Sequence, residues 1–341
     1  MDPRFQVKLI APIKILFQEE KKIVITTHHR PDGDAIGSSL GLYNYLIQKK
    51  HQVNVVVPSN YPSFLKWMPN NDVVINYEAD PEKGNKLISE ADIIFCLDYN
   101  AMKRIDKMEM PVRNSKAIKI LIDHHLHPEN AFDHSYSFPD SCATSELIYE
   151  FIVALDDQSL LNKSIAECLY TGIMTDTASF RFAGMKAETH RTVAKLMEAG
   201  AVNYKIHELV YDTNTEDRIR LLGHCLKDKL VVLRELNTAY ISLTEEELNH
   251  YQFESGDTEG IVNYALSINN IMLAAFFAPR DGVVRISFRS KDNFPANELS
   301  QKYFEGGGHR NAAGGRSELS LDETIKKFVG ILPEYKSQLV K

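Results

Sequence analysis

The segment from residue 22 to residue 34 reads Lys22-Ile23-Val24-Ile25-Thr26-Thr27-His28-His29-Arg30-Pro31-Asp32-Gly33-Asp34. Its first six residues are mainly apolar or β-branched, which is typical of a buried strand, and the polar residues after them form a short loop. A stretch with helical periodicity then runs from Asp34 to Lys50. The order of strand, short loop and helix predicts a βα unit in a parallel sheet.

The same strand pattern recurs along the first half of the chain. Apolar runs bounded by polar or turn residues lie at 53–57, 93–97 and 118–122. Helical periodicity covers 144–155, 165–175 and 188–199. Strands that alternate with helices in this way predict a Rossmann-like α/β domain, in which helices flank a parallel sheet.

Strand patterns return in the second half, after a helical stretch at 216–226. They lie at 230–233, 239–243 and 283–288. The chain has 341 residues, more than one hydrophobic core usually serves, so two domains are expected. We place the first domain at 1–200, a helical linker at 201–226, and a smaller α/β domain with a mixed sheet at 227–341.

Composition limits the classes of function. The chain is 44% hydrophobic and 25% charged, as in globular proteins that do not enter membranes, and no apolar run approaches the length of a membrane span. The net charge of −7 argues against sequence-independent binding of long duplex nucleic acid, because such binding requires a basic surface. A small phosphorylated substrate is compatible, because metal ions in an acidic site can supply positive charge.

The sequence also indicates a cellular setting. The first residues lack the basic start, apolar stretch and cleavage site of a secretory signal. The cysteines Cys96, Cys142, Cys168 and Cys225 lie far apart in apolar segments and form no CxxC pair. We therefore expect a cytoplasmic protein with buried free thiols and no contact with a membrane.

Carboxylates and imidazoles stand at the ends of several predicted strands. His28, Asp32 and Asp34 follow the first strand, Asp98 follows the strand at 93–97, and Asp123-His124-His125 follows the strand at 118–122. Parallel strands present their carboxyl ends at one edge of a sheet, where ligands bind. We expect these side chains to converge there.

The residue types in this set favour a metal site. A single aspartate at a strand end often serves only as a helix cap or turn former, so the combination carries the prediction. Oxygen ligands with one or two imidazoles suit Mn²⁺ or Mg²⁺, and the lack of thiolates argues against structural zinc. Gly33 is expected to let the backbone turn, so that Asp32 and Asp34 both point toward ions. Asp176, at the end of a helical segment, is either a further ligand or a simple helix terminator.

A glycine-rich segment marks a second candidate site. Glu305-Gly306-Gly307-Gly308-His309-Arg310-Asn311-Ala312-Ala313-Gly314-Gly315 follows a predicted helix at 296–304. Backbone N–H groups of such a loop can line an anion site, and His309 and Arg310 add charge or hydrogen bonds. Arg289, on a predicted strand, is another phosphate-binding candidate. The alternatives are a tight loop for the glycines and an ordinary solvated position for Arg289.

Together these motifs resemble the DHH phosphoesterase superfamily, which is named for the triplet at 123–125. The resemblance covers nearly the whole chain: H-x-x-P-D-x-D at 28–34, Asp98, the triplet, the T-D segment ending at Asp176, and GGGH at 306–309. The second half resembles the DHH-associated domain. The two-domain length is most similar to the bifunctional oligoribonuclease and pAp phosphatase branch, also labelled exopolyphosphatase-related. Ala178 departs from the glycine common in relatives, which leaves the geometry of that turn open.

The resemblance implies two divalent ions, Mn²⁺ with Mg²⁺ or Co²⁺ as alternatives. One ion would be held by His28, Asp32 and Asp98, and the other by Asp34, Asp98, His124 and Asp176, with Asp98 as the bridge. His125 would contact the scissile phosphate, and Asp123 would orient the adjacent histidines. The terminal phosphate or nucleotide would be held by Arg289, Gly307, Gly308 and His309.

The implied activity is hydrolysis of short oligoribonucleotides or of 3'-phosphoadenosine 5'-phosphate (pAp). A water activated between the two metals would attack phosphorus in line, while His125 helps to stabilise the developing charge. The alternative substrates are linear or cyclic dinucleotides of the pApA type, pyrophosphate and polyphosphate, and the non-enzymatic alternative is a nucleotide sensor. Expected partners are small nucleotides and short single-stranded RNA or DNA, and a homodimer is compatible with the sequence.

Overall fold

The structure is a computed structural model that describes residues 4–181, 185–254 and 256–340, without the side chains of Val7 and Lys8. The chain divides into two compact units, Met1–Thr213 and Asn214–Lys341. The division falls inside the range 201–226, where the sequence analysis places the linker. Each unit has its own buried apolar clusters.

The first unit is built on a parallel sheet. Its described strands are β1 (Lys22–Thr27), β2 (Gln52–Val57), β3 (Val74–Asn76), β4 (Ile93–Leu97), β5 (Ile118–Asp123) and β6 (His134–Ser137). Their order is β3-β2-β1-β4-β5-β6, and every neighbouring pair is parallel. The chain moves outward from β1 to β3 and then outward again from β4 to β6. The switch between β1 and β4 opens a crevice at the carboxyl ends of these strands.

Helices pack around this sheet. Those described are α1 (Val7–Leu16), α2 (Gly33–Leu46), α3 (Pro81–Glu90), α4 (Glu109–Asn114), α5 (Thr144–Ala154), α6 (Lys163–Asp176), α7 (Ala187–Glu198) and α8 (Asn203–Tyr211). Helix α2 follows β1 directly, as the sequence predicts. The parallel sheet flanked by helices confirms the predicted fold class.

Glycines set the close packing of α2 against α6. A β-carbon at Gly37 would lie 2.6 Å from the carbonyl oxygen of Cys168, and one at Gly33 would overlap Thr175. The expectation that Gly33 serves a flexible turn is wrong, because Gly33 is the first residue of α2 and is needed for helix contact instead. The close approach brings the start of α2 beside the end of α6.

The second unit contains a mixed sheet with flanking helices, as expected. Its described strands are β7 (Leu230–Leu233), β8 (Thr238–Ser242), β9 (Leu273–Arg280), β10 (Val283–Ser290), β11 (Gly307–His309) and β12 (Ala312–Ser317), in the order β11-β12-β10-β9-β8-β7. The β8–β9 pair is parallel and the other pairs are antiparallel. The described helices are α9 (Glu216–Asp228), α10 (Glu245–His250), α11 (Ile261–Ser267), α12 (Ala296–Tyr303), α13 (Leu321–Ile331) and α14 (Lys336–Leu339).

The glycine-rich segment forms strands rather than the loop that its composition suggests. Residues of β11 and β12 pair antiparallel from Gly307 opposite Gly314 to His309 opposite Ala312. Gly308 has φ +127°, and a β-carbon there would lie 2.7 Å from the carbonyl oxygen of Ala312. Glycine is therefore required by close backbone contact within a hairpin, and Arg310 lies in its turn.

Two further expectations can be compared with the structure. The four cysteines are free, with Cys96, Cys168 and Cys225 buried and Cys142 partly buried. In the part of the chain that the structure describes, no helix combines the length and the apolar composition that crossing a bilayer requires.

Candidate active site

The predicted ligands of the first unit lie together at the switch between β1 and β4. His28 follows β1, Asp98 follows β4, and Asp123 is the last residue of β5. Because these three strands are neighbours in the sheet, their ends deliver side chains to one crevice. Asp34, in the first turn of α2, and Asp176, the last residue of α6, lie close to His124 in the same crevice.

The first cluster consists of His28, Asp32 and Asp98. The Nε2 atom of His28 lies 3.7 Å from Oδ2 of Asp32 and 3.5 Å from Oδ2 of Asp98. Nδ1 of His28 is 2.9 Å from the carbonyl oxygen of His29, which fixes the hydrogen on Nδ1 and leaves Nε2 as the ligand atom. Asp32 also caps α2 by accepting the N–H groups of Asp34 and Ala35 on Oδ1, so its Oδ2 remains for the cluster.

The second cluster is centred on His124. Its Nε2 lies 3.9 Å from Oδ2 of Asp34, 3.6 Å from Oδ2 of Asp176 and 3.4 Å from Oδ1 of Asp98. Asp176 is the last residue of α6, as the sequence predicts. The ligand atoms of Asp34, His124 and Asp176 all lie within 4.8 Å of one another, and the same holds for the first cluster.

Asp98 belongs to both clusters through different oxygens. Its Oδ2 faces His28, whereas its Oδ1 faces His124. The backbone at Asp98 has φ +62°, a value uncommon for a residue with a side chain, yet its N–H still donates to the carbonyl oxygen of Ile122 at 3.2 Å. A strained residue held in this way is often part of a functional site.

Burial and like charges perturb the acids of this site. The pKa of Asp34 is raised well above its usual range by burial and by the neighbouring Asp98 and Asp176 carboxylates. Burial alone would also raise the pKa of Asp98, but hydrogen bonds from His124 and His28 hold it well below the usual range. The pKa of Asp34 is raised whereas that of Asp98 is lowered, as expected when adjacent carboxylates compete for a limited amount of positive charge.

The imidazoles respond to the same carboxylates. Burial would lower the pKa of His28, but Asp32 and Asp98 raise it to about 10. The pKa of His124 is likewise raised well above its usual range, because Asp98, Asp176 and Asp34 outweigh its burial.

His125 differs from its neighbour. Its Nδ1 donates to Oδ1 of Asp123 at 2.7 Å, and its backbone N–H donates to Oδ2 of the same carboxylate at 3.1 Å. Burial lowers the pKa of His125 despite the hydrogen bond with Asp123. Asp123 therefore fixes the ring orientation of His125 and leaves Nε2 as the ring nitrogen that does not bond Asp123.

The turn after α6 answers the question raised by Ala178. Ala178, Ser179 and Phe180 have φ values of +49°, +62° and +64°. The left-handed region is accessible to alanine at a cost, and glycine would enter it without strain. The turn is therefore formed with a non-glycine residue, and its N–H groups bond back to α6 through the carbonyl oxygens of Thr175 and Met174.

Sequence reasoning missed the residues that hold Asp34 and Asp98. The N–H groups of Thr144 and Ser145 donate to Asp34, and the hydroxyl of Thr144 donates to Asp98. The two residues in each contact are separated in the sequence by between 46 and 111 positions. The one local signal is that Ala143, at the N-cap of α5, cannot cap that helix with its side chain.

In the second unit, the sheet register places Arg289 and His309 on one face. Both lie opposite Ala312, from β10 and β11 respectively, so the small alanine side chain stands between them. In the next row of the same face, Gly314 lies between Ser287 and Gly307. Directly opposite residues of antiparallel strands share a face of the sheet. On this face Ala312, Gly314, Ser287 and Gly307 form a surface of small residues beside Arg289 and His309, which we call the floor.

The donor set of the first unit fits divalent cations. It consists of carboxylate oxygens and imidazole nitrogens, the ligands that Mn²⁺ and related ions accept. Five aspartates lie in or beside one crevice, and the pKa of Asp34 is raised by burial and by the neighbouring Asp98 and Asp176 carboxylates. Cations between the carboxylates would remove the repulsion among them.

Comparisons with known proteins agree with the fold and the motifs. The DHH family, N-terminal domain, matches residues 22–173, and the DHHA1 domain matches residues 236–335. An exopolyphosphatase-related protein from Bacteroides fragilis is 42% identical, with a TM-score of 0.94 and coverage of 98% of both chains.

The curated relatives of this chain include two proteins with different functional names. The chain is 29% identical over 337 residues to the bifunctional oligoribonuclease and PAP phosphatase NrnA of Thermus thermophilus, covering 98% of this chain and 96% of that protein. It is 24% identical over 337 residues to the cyclic-di-AMP phosphodiesterase GdpP of Bacillus subtilis, covering 95% of this chain and 49% of that protein.

The fold, the motifs and these matches define a hydrolase that acts on phosphate esters. The chain belongs to the DHH family, with a DHHA1 domain in its C-terminal half.

Proposed function

We propose that this protein hydrolyses short oligoribonucleotides and pAp with the help of two divalent cations, and that these cations are Mn²⁺. The observation that carries the proposal is the division of Asp98 between the two clusters, with one carboxylate oxygen toward each. The similarity to a bifunctional oligoribonuclease and PAP phosphatase over nearly the whole chain supports the choice of substrate.

The proposed ligands follow the two clusters. One ion would be held by His28, Asp32 and Asp98, and the other by Asp34, Asp98, His124 and Asp176. Bound there, a pair of divalent ions would supply an activated water at neutral pH and stabilise negative charge on the phosphoryl oxygens.

His125 is proposed to contact the scissile phosphate through Nε2. Asp123 accepts the hydrogen on Nδ1, so the ring cannot turn that nitrogen toward substrate. Because burial lowers the pKa of His125, its imidazole is neutral at pH 7 before substrate binds, and an approaching phosphate anion favours the protonated ring. Nε2 can then donate a hydrogen bond to a phosphoryl oxygen, while Asp123 balances the positive charge.

The floor of the second unit is proposed to hold the terminal phosphate or nucleotide of the substrate. Arg289 presents a planar guanidinium, which suits bidentate contact with a phosphate. The small residues Ala312, Gly314 and Gly307 leave space for a ribose or a flat base to rest on the sheet between Arg289 and His309. Such a floor recognises an end group and a few nucleotides, not a long duplex.

A substrate panel tests this proposal. Purified protein is incubated with Mn²⁺ and pAp, RNAs of two to five nucleotides, a twenty-nucleotide RNA, pApA and polyphosphate, and products are resolved by length. We expect turnover of pAp and the short RNAs and little turnover of the long RNA. An Asp98→Asn variant, which keeps the side-chain shape, should lose at least ~10³-fold in kcat, since several kcal/mol of charge stabilisation depend on the ions.

The panel also contains the outcomes that contradict the proposal. Full activity of Asp98→Asn would refute the shared carboxylate, and release of phosphate from polyphosphate alone would refute a nucleotide substrate. Tight pAp binding without turnover would identify a sensor.

The second candidate substrate is a linear or cyclic dinucleotide, favoured by the similarity to a cyclic-di-AMP phosphodiesterase. Preference for pApA or its cyclic form over pAp, measured as kcat/KM, would select this candidate. The same metal ligands serve both candidates, so the Asp98→Asn result does not separate them.

A further inference from the structure

The first turn of α5 is capped by a side chain from elsewhere in the chain. The first N–H groups of a helix have no partner within the helix and are usually satisfied by a polar residue just before it. Here that residue is Ala143, which makes no side-chain cap. Instead, the N–H groups of Thr144 and Ser145 donate to the two oxygens of Asp34, at 2.6 and 2.8 Å. Asp34 is thus both a cap and a proposed metal ligand.

The side chain of Thr144 reaches the second carboxylate. Its hydroxyl donates to Oδ1 of Asp98 at 2.9 Å, and both side chains are buried. A carboxylate can rotate about its Cβ–Cγ bond, and rotation of Asp98 would mix the oxygen that faces His28 with the one that faces His124. A hydroxyl fixed on a packed helix opposes this rotation.

The same segment also contacts the imidazole of the second cluster. Nδ1 of His124 lies 3.3 Å from the carbonyl oxygen of Ser141, which leaves Nε2 for the cluster. The hydroxyl of Ser141 in turn donates to the buried carboxylate of Glu146 at 2.6 Å, and Arg4 lies 3.4 Å from that carboxylate. Residues 141–146 therefore contact three of the four proposed ligands of the second ion.

We propose that Thr144 is a positioning residue of the metal centre, which holds Asp34 by its backbone N–H and sets the plane of the Asp98 carboxylate by its hydroxyl. This inference rests on the proposed function, because it assumes that Asp34 and Asp98 bind ions. It assigns no direct contact with substrate to Thr144. A purely structural threonine would support the fold equally well in the absence of metal, so metal binding distinguishes the two roles.

The test uses the whole chain and Mn²⁺ alone. Metal-depleted wild type, Thr144→Val, Thr144→Cys and Thr144→Ser are titrated with Mn²⁺, and free ion is followed by electron paramagnetic resonance. Valine keeps the branched shape without the hydroxyl, cysteine offers only a weak donor, and serine restores the hydroxyl. Thr324→Val is the matched control, since Thr324 is a buried threonine of the C-terminal unit whose hydroxyl bonds Ser317 at 2.9 Å.

We expect Thr144→Val to bind Mn²⁺ ~10–100-fold more weakly than wild type, as is typical when a partner of a metal ligand is removed. Thr144→Ser should remain near wild type, Thr144→Cys should lie between, and Thr324→Val should be unchanged. If Thr144→Val does not fold, Thr144→Cys against Thr144→Ser makes the same comparison.

Three outcomes overturn the inference. Wild-type affinity in Thr144→Val, or equal losses in the serine and valine variants, would show that the hydroxyl does not position the site while leaving the proposed function intact. Failure of the wild type itself to bind Mn²⁺ would overturn both the inference and the proposed function.

Discussion

Replacing Asp98 with asparagine alters both clusters at once, and its effect on metal-induced stability can be worked out from the structure. The first cluster has three ligands and the second has four, when Asp98 is counted in each. The substitution removes the shared negative charge, which leaves two charged or imidazole ligands in one cluster and three in the other. Asp176→Asn, in contrast, changes the second cluster alone.

The expected magnitude follows from linkage between binding and folding. At a Mn²⁺ concentration 100 times the dissociation constant, each ion stabilises the folded protein by about 2.7 kcal/mol. Two ions therefore contribute about 5 kcal/mol, which for a unit of this size raises Tm by roughly 10–20 °C. If loss of the shared ligand weakens each site ~100-fold, the contribution falls to about 0.4 kcal/mol per ion.

Thermal melting with and without Mn²⁺ measures this difference. The quantity compared is the shift in Tm on adding the ion, so that changes in the stability of the metal-free protein cancel. We expect a large shift in wild type, about half of it in Asp176→Asn, and almost none in Asp98→Asn. Asp80→Asn is the control, because Asp80 caps α3 away from both clusters and asparagine caps a helix as well as aspartate. Equal shifts in Asp98→Asn and wild type would refute a ligand shared by two ions.

The remaining predictions concern packing and pH. Burial would raise the pKa of Glu247, but hydrogen bonds from Lys229 and neighbouring groups lower it to about 2. The ionised Glu247 therefore stabilises the folded protein above the usual carboxyl pKa, and this contribution is lost as the pH falls toward 2. Glu247→Gln should therefore cost about 2 kcal/mol at pH 7 and flatten the acid side of the stability profile, measured by urea unfolding; an unchanged profile would contradict this. Gly172→Ala would place a methyl group against Ser145 and 2.9 Å from Oδ1 of Asp34. Because this displaces a proposed metal ligand, kcat/KM should fall ~100-fold. Undiminished activity would show that α6 can move away from α2 and α5. Phe328→Ala, at a fully buried position, should cost about 3–5 kcal/mol in the C-terminal unit, and a loss below 1 kcal/mol would mean that the core relaxes around it.

The buried strands of the first unit could be predicted from sequence because they are continuous apolar runs. The predicted bounds 93–97 agree with β4, and 118–122 differs from β5 by one residue. The edge strands β3 and β6 were missed because they are short and contain polar residues, as in His134–Ser137, so no periodic pattern marks them. Strand β9 was missed for a different reason: Leu273–Arg280 contains three alanines, which favour a helix, and periodicity alone does not separate such an apolar run from a buried helical segment.

The residues of the candidate site could be predicted where they lie at the ends of strands or helices. His28, Asp98 and Asp123 each follow or end a strand, and the rule for parallel sheets places such ends together. The contacts of Thr144 with Asp34 and Asp98 could not be predicted, because they depend on how α5 packs between segments distant in sequence. The glycine-rich segment was misjudged because glycine composition alone does not separate a loop from closely packed strands.

The charge of the site explains how an acidic chain can act on an anionic substrate. The chain carries a net charge of −7, and the proposed ligands include Asp32, Asp34, Asp98 and Asp176. Ionised together, these four carboxylates repel a phosphate, and burial together with the Asp98 and Asp176 carboxylates raises the pKa of Asp34. Two divalent cations carry as much positive charge as four carboxylates carry negative charge, so the occupied centre no longer repels the substrate through its own ligands. If the proposed function holds, substrate binding at this centre depends on prior binding of the ions. The net negative charge of the chain disfavours long nucleic acid without excluding a short oligonucleotide.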